Sequence, residues 1–272
     1  ITRKVADKLS SIFKKERENL ESKWNDIKVV IEYGMLTEDK FYDKAESFNL
    51  YPTVDDKYFT YEELEKKIKK LQTDKDGNLI ILYAQNKDEQ YTYIESAKEK
   101  GYEVLLLDSP IIPHLMQKLE SKKEKIKFSR VDSDTLENLI KKDEEVISKL
   151  SDEDKEKLKP MIETAVEDEK YTVQLEALDS SSMPFMLAQP EFMRRMKEMQ
   201  QTGGGAMGNM PDMYSLIVNT NHELVGKILN TKTEKKRNSL IKQSIDLAKL
   251  SQNNLTGKDL TEFINRSIDL IK

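Results

Sequence analysis

Cysteine is absent from the 272 residues of this chain, and His114 and His222 are its only two histidines. Without thiols the chain can form no disulfide bond, offers no cysteine nucleophile and supplies no thiolate ligands for zinc. The two histidines lie far apart, and neither has a second metal ligand three or four residues away. A zinc centre and a Ser-His-Asp hydrolase therefore lack support, and we expect neither a metal site nor a catalytic residue.

Phosphate-binding motifs, long apolar runs and a surplus of one charge are also missing. The chain contains neither GxGxxG nor GxxxxGK[ST], and the Gly203–Gly205 cluster follows no strand, so we interpret it as a flexible linker. No apolar run could span a bilayer, and no signal peptide is visible. The 45 basic and 50 acidic residues nearly balance, which gives no electrostatic case for nucleic acid or a membrane surface. We expect a soluble, cytoplasmic protein that binds no cofactor.

Helical periodicity dominates the first fifty residues. Apolar residues at helical spacing predict one helix from Thr2 to Asp26 and another from Ile27 to Tyr33, which Gly34 should end. Thr37 is the predicted cap of a helix over 38–48, and Tyr51-Pro52 the predicted turn after it. Trp24, the only tryptophan, is either a core residue or an exposed anchor.

Apolar strands alternate with helices in the next eighty residues. Thr60 and Glu63 have the spacing of a capping box at the start of a helix. Strands that are apolar throughout indicate parallel βαβ units covered on both faces, and hence a small αβα sandwich. The predicted strands are 78–84, 102–107 and 126–131, and the predicted helices are 61–71, 89–100 and 111–122.

Mixed α and β signals follow a predicted domain boundary near Lys142. A helix capped by Ser151 precedes strands at 171–177 and 216–218, and two amphipathic helices end the chain. A terminal helical pair buries its apolar stripes on its own domain or on a second subunit. We expect a dimeric four-helix interface formed by the stripes of helices 233–250 and 258–271, namely Leu240, Ile241, Ile245, Ala248, Leu260, Phe263, Ile264, Ile268 and Ile271.

Methionine is concentrated in one short region, with eight of the eleven copies between Met183 and Met213. A helix predicted over 190–199 places an apolar stripe on one side and charged residues opposite. The stripe is either ordinary core or an adaptable surface for apolar partners, because methionine is unbranched and polarizable. Its members are Phe192, Met193, Met196 and Met199.

Four segments in order resemble the heat-shock protein 90 chaperones. Lys23–Asp26 followed by Tyr33-Gly34 is similar to that family's "FW…FG" passage, and Lys100–Leu107 (KGYEVLLL) to its "KKGYEVLYM". Leu216–Val225 has the register of "LEINPDHPIV", and Met193–Met196 falls where the family has a methionine-containing helix. The resemblance extends over essentially the whole chain.

The resemblance implies a division of the chain and a role for each part. Residues 1–142 would be the distal part of the middle domain, and residues 143–272 the C-terminal dimerisation domain. The implied function is to homodimerise and to bind non-native client proteins, with Trp24 and the methionine stripe as client contacts. ATP and magnesium would belong to the family's N-terminal domain, so this chain is expected to be no enzyme.

Two other functions are compatible with the residues themselves. A small α/β enzyme would have its site at the carboxyl ends of the strands, near Asp108 and Ser109. A purely structural dimerisation scaffold would use the terminal helices and leave the methionine segment as a loop.

Overall fold

A computed structural model describes residues 2–144, 146–166, 170–203 and 213–271 of the chain. These residues form a mixed α/β protein with thirteen helices and three small sheets. They divide into two compact units: residues 2–131, 139–141 and 195–203 form the first, and the remaining described residues form the second. Residues 139–141 belong to the first unit and the described residues of 142–194 to the second, and the domain boundary near Lys142 stays a prediction. Assignment of the halves to middle and dimerisation domains stays a prediction.

Four helices begin the first unit, where the sequence predicts three. The predicted first helix is interrupted at Glu16 and at Lys23, and the next helix runs on through Gly34 instead of ending there. Thr37 is the last residue of that helix and does not cap the following one. The four helices are α1 (Thr2–Lys15), α2 (Arg17–Ser22), α3 (Trp24–Thr37) and α4 (Asp39–Ala45).

Close packing between α3 and α4 explains the glycine within α3. A Cβ atom on Gly34 would lie 2.9 Å from the ring of Phe41 on α4. Glycine therefore serves here to admit an aromatic ring against the helix backbone, a role that outweighs its helix-breaking tendency. Sequence periodicity does not distinguish this use of glycine from a helix end.

A parallel three-stranded sheet lies at the centre of the first unit, as the alternating pattern predicts. Strand β3 pairs with β4 on one side and β5 on the other, and all six residues of β3 are buried. The Thr60–Glu63 capping box is confirmed, whereas Tyr51-Pro52 is a strand instead of a turn. The elements are β1 (Tyr51–Pro52), β2 (Tyr58–Phe59), α5 (Tyr61–Gln72), β3 (Leu79–Ala84), α6 (Tyr91–Glu99), β4 (Val104–Leu106), α7 (Ile112–Lys122) and β5 (Ile126–Arg130).

The second unit has a mixed sheet with β8 in the middle. Strand β8 runs parallel to β6 and antiparallel to β7, a strand that the sequence analysis missed. Ser151 caps its helix as predicted. The elements from the end of the first sheet onward are α8 (Leu136–Leu139), α9 (Asp152–Ala165), β6 (Tyr171–Glu176), β7 (Phe185–Ala188), α10 (Glu191–Gly203), β8 (Tyr214–Asn219), α11 (Glu223–Asn230), α12 (Glu234–Ser251) and α13 (Gly257–Ile271).

Two buried asparagines after β8 connect three segments of the second unit. The Asn219 amide group accepts from the backbone N–H of Leu178 and donates to the carbonyl of Asp179. The Asn221 amide accepts from the N–H of Lys149 at 2.6 Å and donates to the carbonyl of Leu178 at 2.9 Å. Such a satisfied network specifies a unique loop arrangement, because each lost bond leaves a buried backbone group unpaired.

We expect Asn221→Ala to destabilise the second unit by about 1–3 kcal/mol, because the buried carbonyl of Leu178 loses its donor. Urea unfolding should show a lower midpoint at an unchanged slope. Asn254→Ala, at an exposed position of the same unit, is the matched control and should leave the midpoint in place. Equal stability of the two variants would contradict a structural role for the network.

Candidate functional site

The apolar stripe of α10 is only partly covered. Phe192 is 70% exposed, and Met193, Met196 and Met199 are each half-buried. A stripe that formed ordinary core would be fully enclosed, and a fully free surface would leave all four side chains open. The exposure of the stripe is therefore intermediate between what the two interpretations predict. Phe192 is its most accessible member.

Two charged residues of α10, Arg195 and Glu198, make polar contacts with other residues of the first unit. Arg195 makes a two-pronged contact with the Glu120 carboxylate on α7, with nitrogen–oxygen distances of 2.8 and 3.2 Å. The same guanidinium donates to the carbonyl of Phe128 on β5. Two-pronged charge-assisted hydrogen bonds are strong and directional, so they fix the rotation of a helix about its axis.

One turn further along α10, Glu198 adds a second polar attachment. Its carboxylate accepts a hydrogen bond from the Gln85 amide at 3.4 Å and lies 3.7 Å from the Arg130 guanidinium. The periodicity of α10 places these charges opposite the stripe, which is typical of a solvated face. Nothing in the sequence indicates that they bind another element, because ion pairs distant in sequence leave no periodic signal.

Trp24 belongs to the core of the first unit. It is 1% exposed and packs in the cluster that contains Leu20 and Ile31. The interpretation of Trp24 as an exposed anchor is therefore wrong for this fold, and the default interpretation as a core residue is the one that the structure supports. Its large apolar area explains the outcome, since burial of an indole ring removes that area from water.

The stripe of α12 is buried inside the second unit and is not free for a partner. Ile241, Ile245 and Ala248 lie in one cluster with residues of the sheet, and Leu240 packs against that cluster. Their prediction as dimer-interface residues needs correction on this ground. An apolar stripe shows which side of a helix leaves water, but it does not show whether the same chain or another copy covers it.

Helix α13 carries exposed apolar side chains. Phe263 is buried and Leu260 half-buried, while Ile264, Ile268 and Ile271 are 48%, 47% and 85% exposed. We call these three isoleucines the α13 face.

Two leucines of α12 are also exposed. Gln243 of α12 donates to Ser267 of α13 at 2.9 Å, so the two helices are in contact at this level. Leu247 lies one turn from Gln243, and both Leu247 and Leu250 are about 40% exposed. Neither leucine is among the predicted interface residues, although Leu247 is at the edge of its helix stripe.

A polar cluster stands at the carboxyl end of β4, where the enzyme alternative places its site. The Lys28 ammonium lies 2.5 Å from the Asp108 carboxylate, and Glu32 and Ser109 are buried beside them. Burial raises the pKa of Glu32 to about 7, and the Ser109 hydroxyl and Lys28 only partly offset this effect. A hydroxyl and a carboxyl that face inward are closed to a substrate, so the geometry does not favour an enzyme.

Comparison with known proteins gives relatives of one kind. The chain is 38% identical over 340 residues to the chaperone protein HtpG of Bacteroides thetaiotaomicron, across 100% of this chain and 50% of that protein. It is 42% identical over 255 residues to HtpG of Porphyromonas gingivalis, across 92% of this chain and 37% of that protein. No family model matches the chain.

The chain belongs to the HtpG chaperone family. A more distant HtpG, from Bdellovibrio bacteriovorus, is 25% identical over 86% of the chain. The chain spans about half the length, or less, of these HtpG relatives. Among the described residues, no helix has the length and apolarity needed to cross a membrane.

In this HtpG-family chain, Arg195→Ala should loosen α10 while leaving the sheet intact. Loss of a charge-assisted, partly buried contact costs about 1.5–3 kcal/mol, so amide protection over 195–203 should fall roughly tenfold or more. Hydrogen exchange read by mass spectrometry gives the measurement.

Lys69→Ala is the matched control, because it removes the same charge from an exposed position of α5, another helix of the first unit. Its exchange pattern should stay close to that of the parent chain. Identical protection of α10 in the Arg195 variant and the parent would show that the ion pair with Glu120 does not hold the helix.

Proposed function

We propose that this chain is the homodimerising and client-binding portion of an ATP-dependent chaperone that assists protein folding in the cytoplasm. The observation that carries the proposal is an apolar surface on the terminal helix α13 in a chain whose relatives are HtpG chaperones. The proposed partners are a second copy of the chain and non-native proteins, with neither nucleic acid nor membrane among them.

The nucleotide chemistry of the whole protein is assigned to residues outside this chain. Among the described residues, no three acidic or histidine side chains are grouped so that they could hold a metal ion. The sequence also lacks a phosphate-binding glycine motif. We propose that ATP and magnesium bind in another part of the whole protein, and no step of a hydrolysis reaction is assigned to the described residues.

Dimerisation is supported by the chemistry of the α13 face. The three isoleucines on successive turns of α13 are exposed, and exposed apolar side chains grouped in this way are typical of a protein–protein contact. Leu247 and Leu250 of α12 are exposed as well. Pairing the same face of two copies across a two-fold axis gives a four-helix arrangement of α12 and α13 from each chain. In this arrangement α12 contributes its exposed leucines, and its buried stripe remains inside each unit.

We expect the double variant Ile264→Asp with Ile268→Asp to be monomeric. Placing unpaired charges in an apolar seam costs several kcal/mol, roughly a thousandfold or more in the dimer dissociation constant. Light scattering coupled to size exclusion measures the mass directly. Both positions are exposed in the single chain, so the melting temperature of the monomer should change little.

Asn265→Asp tests whether any added charge on α13 has the same effect. Asn265 is exposed on the same helix but lies outside the stripe of the α13 face. This control should remain dimeric. A dimeric double variant would place the interface elsewhere, and a parent chain that is monomeric at micromolar concentration would remove the dimer proposal altogether.

Client binding is proposed for the stripe of α10. Each apolar side chain of this size supplies roughly 1.5–3 kcal/mol when it is fully buried against a partner, so a few are enough for weak binding. Methionine adapts to varied surfaces, which suits a site that binds many sequences. The polar contacts of Arg195 and Glu198 hold this part of α10, and they do not involve Phe192, the most exposed member of the stripe.

Replacing Met193, Met196 and Met199 by Ser should weaken the suppression of client aggregation. Phe192→Ser should act in the same direction, because Phe192 is the most exposed member of the stripe. Light scattering by a heat-denatured enzyme such as citrate synthase, with and without the chain, gives the readout. We expect the melting temperature of the chain to shift by only a few degrees, since the methionines are half-buried.

Two outcomes would oppose the client site. A large fall in melting temperature would show that the stripe is structural, and unchanged aggregation in both variants would exclude it as a client contact. A chain that dimerises but suppresses no aggregation at all would favour the structural scaffold.

A further inference from the structure

Strand β5 lies at one edge of the sheet in the first unit. The sheet has the order β4-β3-β5, so β5 pairs with β3 on one side and, among the described residues, with no strand on the other. Lys125 and Val131 bond to β3 through their backbone groups. Because a parallel ladder uses alternate residues, the backbone groups of Ile126, Phe128 and Arg130 are directed to the outer edge. Such an edge is a template for another strand.

Two side chains occupy this outer edge at Phe128. The backbone N–H of Phe128 donates to the Glu120 carboxylate at 2.7 Å, and its carbonyl accepts from the Arg195 guanidinium. Glu120 and Arg195 are themselves joined at 2.8 Å. Phe128 therefore meets one acceptor and one donor, which is what the backbone of a neighbouring strand would offer. We call Glu120 and Arg195 the edge pair.

The two members of the edge pair are held with different strength. Glu120 belongs to α7, which is anchored in the core by Leu115 and Leu119. Arg195 belongs to α10, where none of the side chains at 195–200 is fully buried. Segments with few buried apolar contacts open locally at a low cost in free energy. Arg195 is thus the member of the edge pair that can leave while the sheet stays folded.

We propose that Arg195 closes the outer edge of β5, and that release of residues 195–203 of α10 opens this edge to an extended polypeptide segment. The segment would join the sheet as a fourth strand, through backbone hydrogen bonds that require no particular sequence. A non-native protein offers such segments, because its backbone is not committed to helices or sheets. The inference therefore rests on the client binding proposed above, and it adds a second mode of binding to the apolar stripe.

The contacts of β5 also indicate the chemistry of the segment. Buried Ile126 and Phe128 alternate with exposed Lys127, so an added strand with apolar side chains at alternate positions continues both faces. When Arg195 leaves, the partly buried Glu120 carboxylate loses this cation, which is unfavourable until another basic group pairs with it. An arginine in the segment supplies that group and draws the carboxylate away from the N–H of Phe128. The expected occupant is therefore an extended segment with alternating apolar residues and one arginine.

Fluorescence anisotropy with a labelled peptide tests whether the edge opens. The probe is a peptide of about ten residues, alternating valine and threonine, with one central arginine. A second probe carries N-methyl groups on two adjacent central residues, whose N–H groups point to opposite edges of a strand. We expect Arg195→Ala to bind the first probe about tenfold tighter than the parent chain, or more, because the edge of the parent is mostly closed. The methylated probe should show no such gain.

The backbone amide of Phe128 reports on the site itself. In Arg195→Ala this amide should exchange its proton faster than in the parent chain, and the first probe should slow the exchange again. The methylated probe should leave the exchange fast. Lys69→Ala is the matched control, because it removes a positive charge from an exposed position of α5, and it should bind both probes as the parent chain does.

Equal affinity of Arg195→Ala and the parent chain for the first probe would overturn the proposal, and so would a gain that the methylated probe shares. If Arg195→Ala fails to fold, Glu120→Gln carries the same test, because it removes the charge that pairs with Arg195. Its affinity for the first probe should also rise. Light scattering that shows assemblies of Arg195→Ala larger than a dimer, without peptide binding, would assign the edge to a second copy and overturn the proposed occupant.

Failure of the edge proposal can be distinguished from failure of the apolar stripe. If the methionine variants lose client binding while Arg195→Ala gains no affinity for the peptide, the stripe is supported and the edge proposal is wrong. If the methionine variants behave like the parent chain while Arg195→Ala binds the first probe through its backbone, the edge proposal is supported and the stripe is excluded.

Discussion

The contact of Arg195 with Glu120 and with the carbonyl of Phe128 determines how α10 is held on the first unit. The two-pronged contact ties the helix to α7 and β5 together, and Glu198 repeats the attachment one turn later. Because these contacts are polar, α10 keeps its position without enclosing its apolar stripe.

Much of the fold could be predicted from patterns of neighbouring residues in the sequence. The apolar strands β3, β4 and β5, the Thr60–Glu63 capping box and the Ser151 cap are features of neighbouring residues, and all of them are present in the structure. Features that depend on distant residues were not predicted. Gly34 is inside a helix because of Phe41, a relation that no local pattern contains.

Which of the candidate surfaces is exposed could not be predicted from the sequence, for the same reason. The stripe of α12 and the α13 face have similar periodicity, yet the first packs on its own sheet and the second is exposed. Periodicity identifies the face of a helix that avoids water, whereas the identity of the covering group depends on the tertiary fold. For Trp24 the two possibilities were open in the sequence, and burial in the core decides between them.

Residues 195–203 have a further consequence for how the protein is made. They pack with the first unit, while the strands before and after them, β7 and β8, belong to the second. When the ribosome has synthesised the chain as far as Lys142, Arg195 is not yet present. The contact between Arg195 and Glu120 can form only after more than fifty further residues have been added. The first unit reaches its final form only after Arg195 has been synthesised, and a fragment cut near Lys142 would lack that contact permanently.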